Sequence, residues 1–227
     1  MSGNKIYGVL LTDDQERKLK IFKEILKKYN GEFNLTSIDD DEGIDCRHFY
    51  DSLTGVEMFT KNSTVVEIGS GGGFPSVPLK IAREDLSFTL IEATGKKCRY
   101  LETVVKELGL KNVTVVNGRA EELGKKEEYR EKFDHAVARA VAPLNVLCEY
   151  CLPFVKKGGS FVAYKGNAEE EISSAENAVK VLGGKFGRME KRILPDGSGR
   201  TLVEILKTDI TPSVYPRGNG KERKKPL

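Results

Sequence analysis

A mostly parallel α/β sheet with helices on both faces, preceded by a helical segment and closed by an antiparallel hairpin, is predicted by three observations. Five short β-branched runs (TVVEI, FTLIE, VTVVN, DHAVA and SFVAY) recur from Ser63 onward, separated by stretches of helical length and period. A glycine-rich loop, Gly69-Ser70-Gly71-Gly72-Gly73, follows the first run directly. The last two apolar segments, KFGRMEKRIL and RTLVEILK, have only the turn PDGSG between them. Together these give a seven-stranded sheet. At 227 residues, 39% hydrophobic and 31% charged, the chain is long enough for one substantial core and short for two.

In chain order, the start MSGNKIYGVLLTDD carries an apolar stretch too short for a signal-peptide core, with Asp13 and Asp14 directly behind it. No apolar run approaches the roughly 20 residues of a membrane span, so a cytoplasmic protein with no membrane partner is expected. Residues 12–30 read as an amphipathic helix: Thr12 with Gln15 forms a capping box, Leu19, Phe22, Leu26 and Tyr29 share one face, and Gly31 is the expected stop. A less regular stretch from Ile44 to Phe59 adds one or two short helices. The expected division is an N-terminal helical extension (1–62), a sheet domain (63–208) and a basic C-terminal tail (209–227). Within the middle unit, GKKCRYLETVVKELG and Glu169–Leu182 are the clearest helices.

The four cysteines are too few for a disulfide scaffold. Cys148 and Cys151 form a C-x-x-C inside the apolar segment LNVLCEYCLPFV, which reads as core packing. Neither His48 nor His135 lies among carboxylates or thiols in sequence, and no metal is expected. Net charge is +3, but the last thirteen residues hold Arg217, Lys221, Arg223, Lys224 and Lys225 against Glu222, so the rest of the chain is at −1. That tail reads either as a solvated terminus or as a contact for a phosphate backbone.

The glycine loop carries the chemistry. A loop at the carboxyl end of the first parallel strand is where such sheets bind nucleotides, and glycines allow close approach of a ligand. A dinucleotide fingerprint is G-x-G-x-x-G, but Phe74 occupies its sixth position, and the pattern is better described as Gly69-x-Gly71-x-Gly73 led by Glu67. A carboxylate beside the loop suits a ligand with an ammonium and a sulfonium, which points to S-adenosylmethionine. Glu92 ends the second strand, where an acid accepts hydrogen bonds from ribose hydroxyls. After the third strand, Asn117-Gly118-Arg119-Ala120-Glu121 is placed for the adenine, although a helix cap explains the same residues. Arg139, at the carboxyl edge of the fourth strand, faces the ligand crevice or forms a surface ion pair; Lys165, after the fifth, meets substrate, phosphate or solvent. No D/N-P-P-Y/F tetrad and no Pro-Cys follows the fourth strand, as methylation of an exocyclic amine or attack on a pyrimidine ring would require; a ring nitrogen that already has a lone pair, of which guanine N7 is one, is compatible with that. A nonenzymatic RNA-binding factor, a small-molecule methyltransferase and a nicotinamide enzyme are the rival readings.

Asn34-Leu35-Thr36, His48-Phe49-Tyr50-Asp51-Ser52-Leu53, GSGGGFPSVPLKI, GRAEE, ARAVAPL, the YKG ending of the fifth strand and the terminal YPR and PL span nearly the whole chain. With these blocks it resembles the bacterial 16S rRNA guanine-N7 methyltransferases, the glucose-inhibited division protein B family. Tyr29, where tryptophan is common, and Ser76, where glycine is usual, depart from the pattern. The resemblance implies a Rossmann-like class I methyltransferase that uses S-adenosylmethionine and acts on 16S rRNA or the small ribosomal subunit; a monomer is expected. It carries cofactor contacts to Gly69, Phe74, Ala120, Glu121 and Arg139, with Arg139 an organiser and no general base needed. His48 and Asp51 are expected on the substrate side, or as a packed histidine and a helix cap. Arg200 and the tail are expected on the RNA backbone.

Overall fold

The computed structural model describes residues 4–6 and 9–227; residues 1–3, 7 and 8, part of the start read above as too short for a signal core, lie outside them. Strands β1 (Asn4–Ile6) and β2 (Val9–Leu11) pair antiparallel ahead of α1 (Asp13–Phe33). The capping box at Thr12 and Gln15 forms, and the Gln15 amide also donates to the Ile81 carbonyl at 2.9 Å. Gly31 does not stop the helix. It continues to Phe33 and ends at Asn34, which is left-handed. Tyr29 stacks on Phe33, and the Asn30 side chain accepts from the Leu35 and Thr36 amides while donating to the Thr36 carbonyl. These contacts outweigh the modest cost of one glycine in a helix.

The irregular stretch resolves into α2 (Asp41–Ile44), a π-helical segment Asp45–Tyr50, α3 (Asp51–Leu53) and a 3₁₀ turn at Val56–Met58. The sheet then alternates with helices: β3 (Thr64–Ile68), α4 (Ser76–Ala82), β4 (Ser87–Glu92), α5 (Gly95–Glu107), β5 (Val113–Asn117) and α6 (Ala120–Leu123). There follow β6 (Phe133–Arg139), α7 (Leu144–Cys151), β7 (Val155–Lys165) and α8 (Glu169–Val181). The hairpin is β8 (Gly184–Ile193) and β9 (Gly199–Lys207), and a short α9 (Lys221–Lys224) lies near the C-terminus.

Strand order is β5-β4-β3-β6-β7-β9-β8, with β9 antiparallel to both neighbours and the remaining pairs parallel. The two-residue period of strands divides the core between the faces. On β3 and β6, Val66, Ile68, Ala136 and Ala138 pack toward α7, while Val65 and Val137 pack with Phe22 of α1, Leu79 of α4 and Leu101 of α5. The N-terminal segment thus shares a core with the sheet. Cys148 and Cys151 are fully buried in α7, where burial raises both thiols. No helix among the described residues is long and apolar enough to cross a membrane.

The tail is not a loose solvated terminus. Arg217 lays its guanidinium on the buried Glu149 carboxylate, Nε to Oε1 at 2.9 Å and Nη2 to Oε2 at 2.7 Å. Arg130 holds the Thr211 and Tyr215 carbonyls at 2.7 and 2.8 Å, and Glu222 is fully buried. A carboxylate as deep as Glu149 needs a cation, and the tail supplies it.

Candidate active site

Because β4 lies on one side of β3 and β6 on the other, the loop after β3 opens at the point where the strand order reverses, the position at which such sheets bind ligands. Gly69 (φ +73°) and Gly73 (φ +89°) both occupy the left-handed region, and a Cβ would strike Val141 at 2.7 Å and Val77 at 2.9 Å respectively. The amides of Gly69 and Ser70 donate to the Ile91 carbonyl, pinning the loop to β4. Gly71 donates to Glu92 Oε2 at 3.0 Å and Thr94 to Oε1 at 2.7 Å, so the carboxylate is fixed with lone pairs left over.

Beneath the loop, Glu67 is fully buried, and neither carboxyl oxygen has a hydrogen-bond partner. Burial pushes this carboxyl up to about 7, against the opposing pull of Ser76, Ser70 and Arg139. Above the loop is a cavity of about 820 Å³, within the usual size of ligand sites, walled by Thr36, His48, Gly71, Phe74, Glu92 and Arg139 among others. Open glycine backbone, a fixed carboxylate on the wall and an unmatched buried carboxyl below fit a nucleoside ligand that also carries an ammonium group.

The wall opposite the loop comes from the N-terminal segment, and Asp51 holds it in place. Asp51 is fully buried; its Oδ2 accepts from Arg139 Nη1 at 2.8 Å and its Oδ1 from Arg200 Nε at 2.5 Å. Arg139 Nη1 also reaches the Arg47 carbonyl at 2.8 Å, and its Nη2 lies 3.1 Å from His48 Nδ1. The guanidinium lies over Phe74, 5.1 Å from the ring centroid, and the His48 ring stacks on the same phenylalanine at 4.4 Å. Burial, followed by the Arg139 charge, lowers His48 to about 4 and keeps it neutral at physiological pH. The π-helical turn brings the Arg47 carbonyl, His48 and Asp51 together toward Arg139, a recurrent use of such turns.

Several expected roles change once the fold is assembled. Asp51 is fully buried under two arginines and is not among the residues that line the cavity. Arg200 reaches the cavity wall but is bound to Asp51, and Lys165, also on the wall, donates to the Ala142 carbonyl at 2.9 Å and pairs with Glu171 at 2.7 Å. Arg217 serves Glu149. In each case a charge expected on RNA pairs with a carboxylate of the chain itself, and for Asp51 and Glu149 that carboxylate is buried and needs the cation. Glu67 and Gly73 lie behind the wall. Ala120 is core, and Glu121 borders a separate cleft of about 380 Å³ with Tyr150, Gly218 and Arg223. Lys221, Arg223, Lys224 and Lys225 are exposed. Sequence reasoning gave no role to Thr36, Arg47 or Lys97, all on the wall; the Asn34-Leu35-Thr36 block was the one available sign of the first.

A family model described as GidB, rRNA small subunit methyltransferase G, matches residues 15–193. The chain is 43% identical over 229 residues to the ribosomal RNA small subunit methyltransferase G of Acetivibrio thermocellus, covering 100% of this chain and 95% of that one. To the protein of the same description from Brevibacillus brevis it is 46% identical over 224 residues, covering 97% and 94%. Among solved structures, a SAM dependent methyltransferase from Aquifex aeolicus superposes with a TM-score of 0.59 at 18% identity over 77% of this chain and 97% of that one. The precorrin-6y C5,15-methyltransferase of Geobacter metallireducens gives 0.52 at 12% identity over 69% and 86%. At these identities, the structures support the fold, that of class I methyltransferases.

Proposed function

The chain belongs to the GidB family of small-subunit rRNA methyltransferases, and on that premise we propose that it transfers a methyl group from S-adenosylmethionine to N7 of a guanine in 16S rRNA. The observation that carries the reading is the cavity itself, with a pinned glycine loop and a fixed Glu92 on one wall and the clamped N-terminal segment on the other. S-adenosylmethionine, when bound, supplies an electrophilic methyl on a sulfonium. The loop from Gly69 to Gly72 offers backbone to its amino-acid end, Glu92 accepts from the ribose hydroxyls, and Glu67, raised to about 7 by burial, ionises beneath the ammonium once that cation is bound. Phe74 gives an apolar wall.

Guanine N7 attacks with a lone pair it already holds, so no residue has to remove a proton, and the rate comes from positioning and electrostatics. His48, neutral and packed on Phe74, therefore acts as a positioning residue. N7 becomes cationic during transfer, and an unpaired arginine beside it would oppose the reaction. Arg139 is not unpaired: Asp51, which it shares with Arg200, holds its guanidinium, and in that position it sets the wall. Lys221, Arg223, Lys224 and Lys225 face the RNA backbone. The protein acts in the cytoplasm as a monomer.

The test is transfer of labelled methyl from S-adenosylmethionine to unmodified small subunits and to their deproteinised RNA, followed by strand scission at N7-methylguanine. One new cleavage is expected. RNA binding without transfer to either substrate would replace the enzyme with a nonenzymatic RNA-binding factor.

A further inference from the structure

Resting on the guanine-N7 reading, the hydrogen-bond chain behind the cavity wall identifies a group that selects the base. Adenine also has an N7. What separates the two purines on that edge is the 6-position, an acceptor oxygen in guanine and a donor amine in adenine. A site that selects guanine there needs a donor that cannot also accept, and one without positive charge, because N7 itself becomes cationic.

Thr36 meets both conditions. Its backbone is clamped by the Asn30 side chain, which accepts from the Thr36 amide at 3.0 Å and donates to its carbonyl at 3.0 Å. Its Oγ1 accepts from the Ile38 amide at 3.0 Å and lies 2.8 Å from His48 Nε2. The direction of that second bond follows from the far side of the imidazole. Nδ1 lies 3.1 Å from Arg139 Nη2 and 3.1 Å from the Arg47 carbonyl. A guanidinium nitrogen can only donate, so the contact with Arg139 Nη2 requires the lone pair on Nδ1. Nδ1 is therefore the acceptor, the ring proton sits on Nε2, and Nε2 donates to Thr36. With both acceptor positions of Oγ1 filled, its hydroxyl hydrogen is unspent, on a residue of the cavity wall.

Of the other side-chain hydroxyls on that wall, Ser37 is exposed to solvent and three give their hydrogen elsewhere. Tyr164 gives its hydrogen to the Ser52 carbonyl, Ser70 to the Ile91 carbonyl and Ser198 to Asp196. Arg47 and Lys97 are cations, suited to phosphate or carboxylate. We propose that the Thr36 hydroxyl, locked as a donor by the Arg139–His48 relay, recognises O6 of the target guanine and sets the preference for guanine.

The test compares transfer to small subunits reconstituted with rRNA that carries, at the position mapped by scission, either guanine or 2-aminopurine. The latter keeps N7 but has hydrogen at C6. For Thr36→Val, the preference for guanine, as a ratio of kcat/KM values, is expected to fall about five- to tenfold from wild type, the range for one hydrogen bond. Thr36→Ser keeps the hydroxyl and retains the preference. Loss of the acceptor for His48 and Ile38 affects both bases alike and cancels in the ratio. The affinity for S-adenosylmethionine, measured by calorimetry, should not change in Thr36→Val. An unchanged ratio in Thr36→Val overturns the proposal. So does a loss confined to cofactor affinity, which would place the hydroxyl on the cofactor, or a fall in the ratio seen with Ser37→Ala instead. If the wild-type protein methylates no guanine in either subunits or RNA, it is the functional reading that fails, and this assignment falls with it.

Discussion

Replacing Asp51 by asparagine is expected to destabilise the protein severely, although the change is nearly isosteric. The carboxylate is fully buried and is the shared anion of two guanidinium groups, Arg139 at 2.8 Å and Arg200 at 2.5 Å, whose side chains are 10% and 20% exposed. Asparagine offers one oxygen and turns an amide N–H₂ toward one of the arginines, so at least one buried cation loses its partner. Breaking a buried pair from one side costs about 3–5 kcal/mol, and for a chain of this length that lowers Tm by roughly 10 °C. The measurement is urea denaturation of wild type, Asp51→Asn, Arg200→Met and the double variant. The two single substitutions should be strongly non-additive, because both remove the same contact. Arg17→Ala, which breaks the exposed pair with Asp14, serves as the reference and should cost about 0.5 kcal/mol or less. A cost for Asp51→Asn within that reference range, or additive single effects, would refute the idea that Asp51 clamps the N-terminal segment to the sheet.

Glu67, raised by burial from 4.5 to about 7, holds a proton in the folded chain that the unfolded chain releases. The stability tied to that proton is complete below 4.5 and disappears as pH rises through about 7, so Glu67→Gln should gain on wild type by roughly 3 kcal/mol in urea titrations at alkaline pH. For His48 the sign is reversed: its value falls from 6.5 to about 4, so its contribution is full above 6.5 and lost as pH falls through about 4. Imidazole ¹⁵N spectra should show an unprotonated Nδ1 and no titration near 6.5, and a midpoint there would contradict the packing described. Arg217→Ala strands the buried Glu149 and should cost about 3 kcal/mol in thermal unfolding. By contrast, a variant with alanine at Lys221, Lys224 and Lys225 should fold normally and bind RNA with a salt slope reduced by about 2–3, measured by filter binding across ionic strengths.

The local rules of the chain were legible without the fold. Short β-branched apolar runs marked the strands of the parallel sheet, Thr12 and Gln15 marked the start of α1, and the alternating glycines at 69, 71 and 73 carry the positive φ that the loop requires. Each depends on neighbours a few residues away, and that is why spacing alone revealed it. Gly31 misled because the contacts that extend α1 come from Asn30 and the segment beyond it. Charge was where sequence reasoning reached its limit. Asp51 lies 88 positions from Arg139 and 149 from Arg200, and Arg217 lies 68 from Glu149. An arginine reads the same in sequence whether it will meet a phosphate or a carboxylate of its own chain. Only the tertiary structure decides, by burying some carboxylates so deeply that the desolvation cost must be met by a cation brought from elsewhere, and by leaving other cations in water, where RNA can reach them.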